Sequence, residues 1–163
     1  MRLLAIDGPS GAGKSTFAAQ VVAELRGRGV STELVSTDAF ATWDDPVSWW
    51  PRLVQGVLVP LAAGNPGTYR CVDWSTGMPR PGSLVQVDVP DFLVVEGVSS
   101  GRTSVRPRLS WLCWVEGGDE AGRLARSVAR DGEASRNDLR RWQLFERGWF
   151  AVDGTRDAAD TRL

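Results

Sequence analysis

Gly8-Pro9-Ser10-Gly11-Ala12-Gly13-Lys14-Ser15, followed by Thr16, satisfies the pattern Gly-x-x-x-x-Gly-Lys-[Ser/Thr] at every fixed position. The spacing has a mechanical reason. Glycines let the backbone turn so that successive N–H groups point into one concavity, which holds phosphate oxygens. A helix starting near Lys14 adds the positive end of its dipole to the same hollow. Lys14 then reaches the β- and γ-phosphates as a mobile charge, and the Ser15 hydroxyl is a ligand for Mg²⁺. The stretch therefore assigns Gly8, Ser10, Gly11, Ala12, Gly13, Lys14, Ser15 and Thr16 to ATP or a close relative, with Mg²⁺ as its companion ion. A chance glycine-rich turn is the alternative, and the flanking sequence argues against it.

On one side lies Arg2–Asp7 (RLLAID), a short apolar run of the kind that forms a buried parallel strand. On the other, Phe17, Val21 and Leu25 recur every four residues beside Ala18 and Val22, which predicts an amphipathic helix closed by Gly27 and Gly29. Further along, strands are expected at 33–37, 91–95 and 109–115, and helices at 119–130 and 138–150. A helix is also expected near 47–62, bent or frayed at Pro51 and interrupted again at Pro60. Residues 64–90 are rich in Gly and Pro and read as a long functional loop with one short extended piece at 83–87.

Strand and helix in alternation indicate an α/β fold with a parallel sheet. The expected architecture is a three-layer α/β/α P-loop NTPase with a small, mostly parallel central sheet, of the nucleoside- and nucleotide-kinase kind, forming one domain over residues 1–163. Four strands are read, and such folds often carry one more.

Bulk properties narrow the partners. The 163 residues are 42% hydrophobic and 24% charged, with a formal net charge of −1, so the chain is globular and lacks the basic balance of a nucleic-acid binder. There is no histidine and only two cysteines, far apart, which argues against a Cys/His zinc site. Cys113 sits in the apolar run 111–115 and reads as a small buried hydrophobe. No apolar run has the length of a membrane span and the N-terminus does not resemble a signal peptide, so a reducing cytoplasm is expected and a membrane partner is not.

Two acids sit where α/β sheets place ligand-binding groups, at the C-terminal ends of strands. Glu96, before Gly97, is positioned to hold Mg²⁺ or its water shell, or else is a solvated strand end. Asp38 either accepts the proton of an attacking hydroxyl, as a kinase requires, or caps a turn. Arg123, Arg126 and Arg130 share one face of a predicted helix, as a phosphate clamp or as a solvated face.

These pieces resemble the uridine kinase family of P-loop kinases over most of the chain. The likeness is carried by Gly8 to Ser15, by Asp38-Ala39-Phe40, by Tyr69 with Val72-Asp73-Trp74, by Glu96-Gly97 and by Arg123-Leu124-Ala125-Arg126-Ser127-Val128-Ala129-Arg130-Asp131. Bacterial uridine-kinase-like ATP-binding proteins are more similar still, through Trp49-Trp50 and Asp73 to Gly77. The resemblance implies that Asp38 is the catalytic base and lies near the metal, with Ser15 and Glu96. It implies an arginine lid over about 123–137, in which Arg123 serves the nucleotide and Arg126 and Arg130, with Lys14, serve the transferring phosphate. Phe40, Trp50, Tyr69, Asp73 and Trp74 fall, with Asp38, on the acceptor side. The histidine and Ser-Arg of the family's pocket are replaced by Ser75-Thr76-Gly77.

The expected activity is transfer of the ATP γ-phosphate to a hydroxyl of a small molecule, a uridine- or cytidine-like nucleoside first. A nucleoside monophosphate kinase, an antibiotic or metabolite phosphotransferase, and an ATP-binding switch without an acceptor are the alternatives. Eight tryptophans, with Trp43, Trp49, Trp50 and Trp74 in the segments expected over the acceptor, suit a flat acceptor or ordinary packing.

Overall fold

The apolar run at the N-terminus forms β1 (Arg2–Asp7), and its side chains part to opposite faces of a sheet. The computed structural model describes residues 1–163. Leu3 joins a core on one face with Val35, Leu93 and Val95, while Leu4 and Ile6 join a second core on the other with Val94, Cys113 and Val115. Two buried faces on one set of strands require two covering layers, so the period-two pattern alone produces the three-layer build.

The strands are β2 (Thr32–Ser36), β5 (Phe92–Glu96), β1, β6 (Trp111–Trp114) and β7 (Thr161–Arg162), in that spatial order. Every pairing in this sheet is parallel. β7 is the fifth strand, two residues long and paired to β6. On one face, α1 (Lys14–Gly27) buries Ala18 and Val22 against the second core. The first core is covered by a helical stretch made of α2 (Trp50–Leu53), a π turn (Val54–Leu58) and α3 (Val59–Ala62), which contributes Leu53, Val57, Leu58 and Leu61. Burying each of these side chains is worth about 1.5–3 kcal/mol.

That stretch differs from expectation in where it is distorted. Pro51 lies in the first turn, where a missing N–H costs nothing. Pro60 is the disruptive one: it cannot donate to the carbonyl four residues back, and just ahead of it the Val59 amide reaches back five residues to Val54. Residues 64–90 are likewise not a loop. They form an antiparallel hairpin of β3 (Gly67–Asp73) and β4 (Arg80–Val87), with a register shift between Arg70 and Val72. The chain is completed by α4 (Glu120–Asp131), α5 (Arg136–Asp153) and α6 (Thr155–Ala158). No helix is long and apolar enough to cross a membrane.

Six of the eight tryptophans fall into two sets. Trp49, Trp50 and Trp149 surround the Arg102 guanidinium, at 5.5, 4.3 and 5.1 Å from their ring centroids. Arg102 is buried and also donates to the Val47 and Ser99 carbonyls and the Ser99 hydroxyl. Burial draws its pKa down to about 10, still well above neutrality, so a charged arginine is held by ring faces and carbonyls. The second set is Trp43, Trp74 and Trp142, and it lines a cleft.

Asp7 closes the sheet end. It is fully buried and accepts from the backbone N–H groups of Gly8 (2.7 Å), Gly101 (2.8 Å) and Ser99 (3.1 Å). Burial raises its pKa from 3.8 to about 7, against the pull of those N–H groups and of Lys14. Between about pH 4 and pH 7 the folded chain therefore keeps a proton that the unfolded chain has released. Stability from this group is full below that window and is lost as pH rises through about 7. Melts of Asp7→Asn should start lower, because an amide cannot accept from three donors, and should show a flatter fall across the window than the unsubstituted protein. Parallel slopes in the two proteins would assign the pH dependence elsewhere.

Candidate active site

The parallel register sets Ile6 of β1 and Ser36 of β2 level with Glu96 of β5. All three strands end at one edge, so the loops after β1, β2 and β5 open into a common space at the point where the chain's strand order reverses. The loop after β1 carries residues 8–13. Gly13 takes a left-handed conformation and caps α1, which starts at Lys14.

Of the 19 lysine and arginine residues, only Lys14 is a lysine. It is 8% exposed, and its ammonium donates to the Pro9 carbonyl at 2.9 Å. Burial raises the pKa of three carboxylates, Asp7, Glu96 and Glu146, and the Lys14 charge opposes the rise in each. Beside it, the Ser15 hydroxyl donates to Glu96 Oε2 at 3.3 Å. Burial raises the Glu96 pKa; a hydrogen bond from Ser36 opposes the rise, while the Asp38 charge adds to it. Ser15, Glu96 and Asp38 are thus brought to one locus. Gly97 keeps the turn beneath them tight: its φ is +121°, and a Cβ there would overlap the Thr37 hydroxyl, next to Asp38.

Asp38 lies in a short 3₁₀ turn, Thr37–Ala39, after β2. Its backbone is fixed at both ends, since its N–H donates to Ser36 Oγ and its carbonyl accepts from the Trp74 indole at 3.2 Å. Its exposed carboxylate borders a cleft of about 470 Å³. Trp43, Trp74 and Trp142 wall this cleft, with Trp43 edge-on to Trp74 (5.0 Å) and to Trp142 (5.8 Å). Ser10 of the phosphate-loop sequence, Arg130 and Asp131 also line it. The cleft therefore runs from the loop to the hairpin tip.

The acceptor-side residues read from sequence are dispersed. Phe40 (1% exposed) and Trp50 (8% exposed) lie in the hydrophobic core, and Tyr69 stacks on Phe40 at 4.7 Å. None of the three lines the cleft. Asp73 is exposed and accepts from the Ser75 N–H, a contact that lowers its pKa. Only Asp38 and Trp74 of that group border the cleft.

The arginines separate as well. α4 packs directly on the phosphate-loop sequence, so closely that a Cβ at Gly11, whose φ is +73°, would overlap the Arg123 carbonyl. Arg126 donates to the Gly11 carbonyl at 2.8 Å and to the Gly117 carbonyl, and Arg123 donates to the Gly118 carbonyl. Both side chains are committed to backbone oxygens. Arg130 alone reaches the cleft, where it makes a bidentate pair with Asp131 at 2.6 and 2.7 Å. That pair raises its pKa, and the charges of Asp38 and Glu96 add to the effect.

Two groups went unread in the sequence. Trp142 forms a cleft wall. Glu146 is 2% exposed and accepts from Ser10. A signal existed for Glu146: Leu139, Gln143, Glu146 and Phe150 fall at helical spacing, and an acid on the inward stripe of an amphipathic helix is out of place unless it has a partner.

At the level of sequence, no family model and no curated protein matches this chain. Solved structures do match it in fold. A "possible uridine kinase" from Bacillus stearothermophilus aligns over 99% of this chain and 88% of its own, with a TM-score of 0.69 at 19% identity. A proposed fructose transport system kinase from Silicibacter sp. TM1040 aligns over 99% and 89%, with a TM-score of 0.67 at 20% identity. D-glycerate 3-kinase from Cryptococcus neoformans aligns over 93% of this chain but 59% of its own, with a TM-score of 0.50 at 17% identity. The chain has the fold of the P-loop kinases.

Proposed function

We propose that this chain is an ATP-dependent, Mg²⁺-requiring phosphotransferase that acts on a hydroxyl of an uncharged small molecule carrying a flat or apolar part, a nucleoside being the first case. The observation that carries the reading is the single cleft in which a free carboxylate, Asp38, and a phosphate-loop residue, Ser10, share walls with three indoles.

Within residues 8–16, the backbone N–H groups of Gly11 and of Gly13 to Thr16 would hold the triphosphate, with the α1 dipole and Lys14 as the point charge. The Gly8 and Ser10 N–H groups are engaged by Asp7 and Glu146. The donor set beside them fits Mg²⁺: Ser15 Oγ and the Glu96 carboxylate lie together, Asp38 is close enough to act on the Glu96 pKa, and all are hard oxygen ligands. Bound there, Mg²⁺ would neutralise charge on the phosphate oxygens. Asp38 would take the proton of the acceptor hydroxyl as its oxygen bonds to the γ-phosphorus and the bond to the ADP oxygen breaks. The indoles would orient the acceptor and exclude water.

The charge of the cleft argues against a phosphorylated acceptor. Recognition of a phosphate calls for unpaired cationic donors. Arg130 is the one arginine lining the cleft, and its Nε and Nη2 are engaged by the Asp131 carboxylate, which offsets its charge.

The test is ADP formation with a panel of nucleosides, other alcohols and their monophosphates. An uncharged hydroxyl compound should raise turnover above the basal rate more than its monophosphate does. Stimulation by monophosphates alone would overturn the acceptor assignment. ATP hydrolysis that no compound stimulates would favour a nucleotide switch.

A further inference from the structure

A carboxylate buried in the middle of a helix is costly unless it is hydrogen-bonded to something that gains from it. Glu146 meets that condition in an unusual place. Its two oxygens accept from the Ser10 backbone N–H at 3.2 and 3.0 Å, and Oε1 also accepts from the Ser10 hydroxyl. Ser10 is the third residue of the phosphate-loop sequence, 136 positions away along the chain. No other side chain hydrogen-bonds the backbone of residues 9–12 except Lys14, on the Pro9 carbonyl, and Arg126, on the Gly11 carbonyl. Arg126 holds the loop from the side of α4, and Glu146 holds it from α5.

One turn before Glu146 on the same helix is Trp142, a wall of the cleft. Ser10 itself borders that cleft. A single helix face therefore fixes both the acceptor wall and the loop.

We infer that Glu146 is a positioning residue: by gripping Ser10 it holds the phosphate loop in its nucleotide-binding shape, in register with the Trp142 wall of the cleft. This rests on the nucleotide reading given above. Without the grip the loop populates other shapes, and apparent affinity falls in proportion to the fraction that remains competent.

Calorimetric titration of the protein with Mg²⁺ and a non-hydrolysable ATP analogue tests it, alongside thermal melts. Glu146→Ala should weaken binding by about tenfold, the worth of one charge-assisted hydrogen bond. Glu146→Gln should recover most of that loss, since its carbonyl can accept from the Ser10 N–H and its amide can donate to the hydroxyl oxygen. Glu146→Leu separates positioning from packing: an apolar side chain should melt at or above the unsubstituted protein, yet bind as weakly as the alanine variant. In Ser10→Ala/Glu146→Ala the two losses should not add, because they concern one contact. No binding by the unsubstituted protein would overturn the nucleotide reading and the inference together. Tight binding by Glu146→Leu, or no recovery in Glu146→Gln, would overturn the inference alone.

Discussion

Asp38→Asn is expected to lower phosphoryl transfer by roughly 10²–10⁴-fold, the usual loss on removing a positioned general base, while the thermal melt stays where it was. The separation of the two effects follows from geometry. Every contact that fixes this residue is made by its backbone, through the Ser36 hydroxyl and the Trp74 indole. Its carboxylate is exposed and borders the cleft, with no side-chain hydrogen bond to a neighbour to be lost. Asparagine keeps the shape and removes the proton acceptor. Binding of Mg²⁺ and the ATP analogue should weaken only slightly, because the nucleotide contacts assigned here lie in residues 8–16. The measurement is ADP production with the best acceptor of the panel, set beside calorimetry and a melt. Turnover near that of the unsubstituted protein would remove Asp38 from the chemistry and return it to the role of a turn residue.

Lys14→Ala is expected to reduce affinity for the Mg²⁺-bound ATP analogue by about 10²-fold, as loss of charged contacts to two phosphates would. Unlike Asp38, this residue also has structural duties. It is buried, it satisfies the Pro9 carbonyl, and its charge acts on Asp7, Glu96 and Glu146. Removing it leaves three buried carboxylates without their common cation, so each is pushed further toward its protonated form. The melt of Lys14→Ala should consequently drop most at alkaline pH and least at acid pH, where the carboxylates are neutral in any case. Lys14→Arg retains the charge on a larger, planar head, which is a poor substitute for a compact ammonium in this enclosure; it should recover stability more fully than affinity. Unchanged affinity in Lys14→Ala would show that the loop does not use this residue to hold phosphate.

Much of the fold was legible because it depends on local patterns. The run Arg2–Asp7, the turn at Gly8 to Gly13 and the helical period after Lys14 each specify their own conformation, and together they demand a sheet buried on both faces. The residues proposed to hold phosphate belong to the same class of information: they are consecutive, so their spacing is their geometry. Asp38 and Glu96 were also readable, because a parallel sheet delivers every strand end to one edge. Fixed strand direction does the work that contacts do elsewhere.

Sequence by itself did not decide how like residues are divided among roles. Eight tryptophans look alike along the chain, but Trp49, Trp50 and Trp149 enclose Arg102, whereas Trp43, Trp74 and Trp142 wall the cleft. Three arginines on one helix face look like one clamp, but α4 lies so near Gly11 that Arg123 and Arg126 bond backbone carbonyls and Arg130 alone reaches the cleft. The hairpin over 67–87 was hidden because its strands are glycine- and proline-bearing and half exposed, so they lack an apolar alternation. Glu146 and Ser10 stand 136 residues apart, and nothing in either neighbourhood names the other. For the tryptophans, the arginines and Glu146 the physical reason is the same. Periodicity fixes which way a side chain points relative to its own element, but a buried charge or ring is assigned its partner only when two elements pack, and packing is set by the whole chain at once.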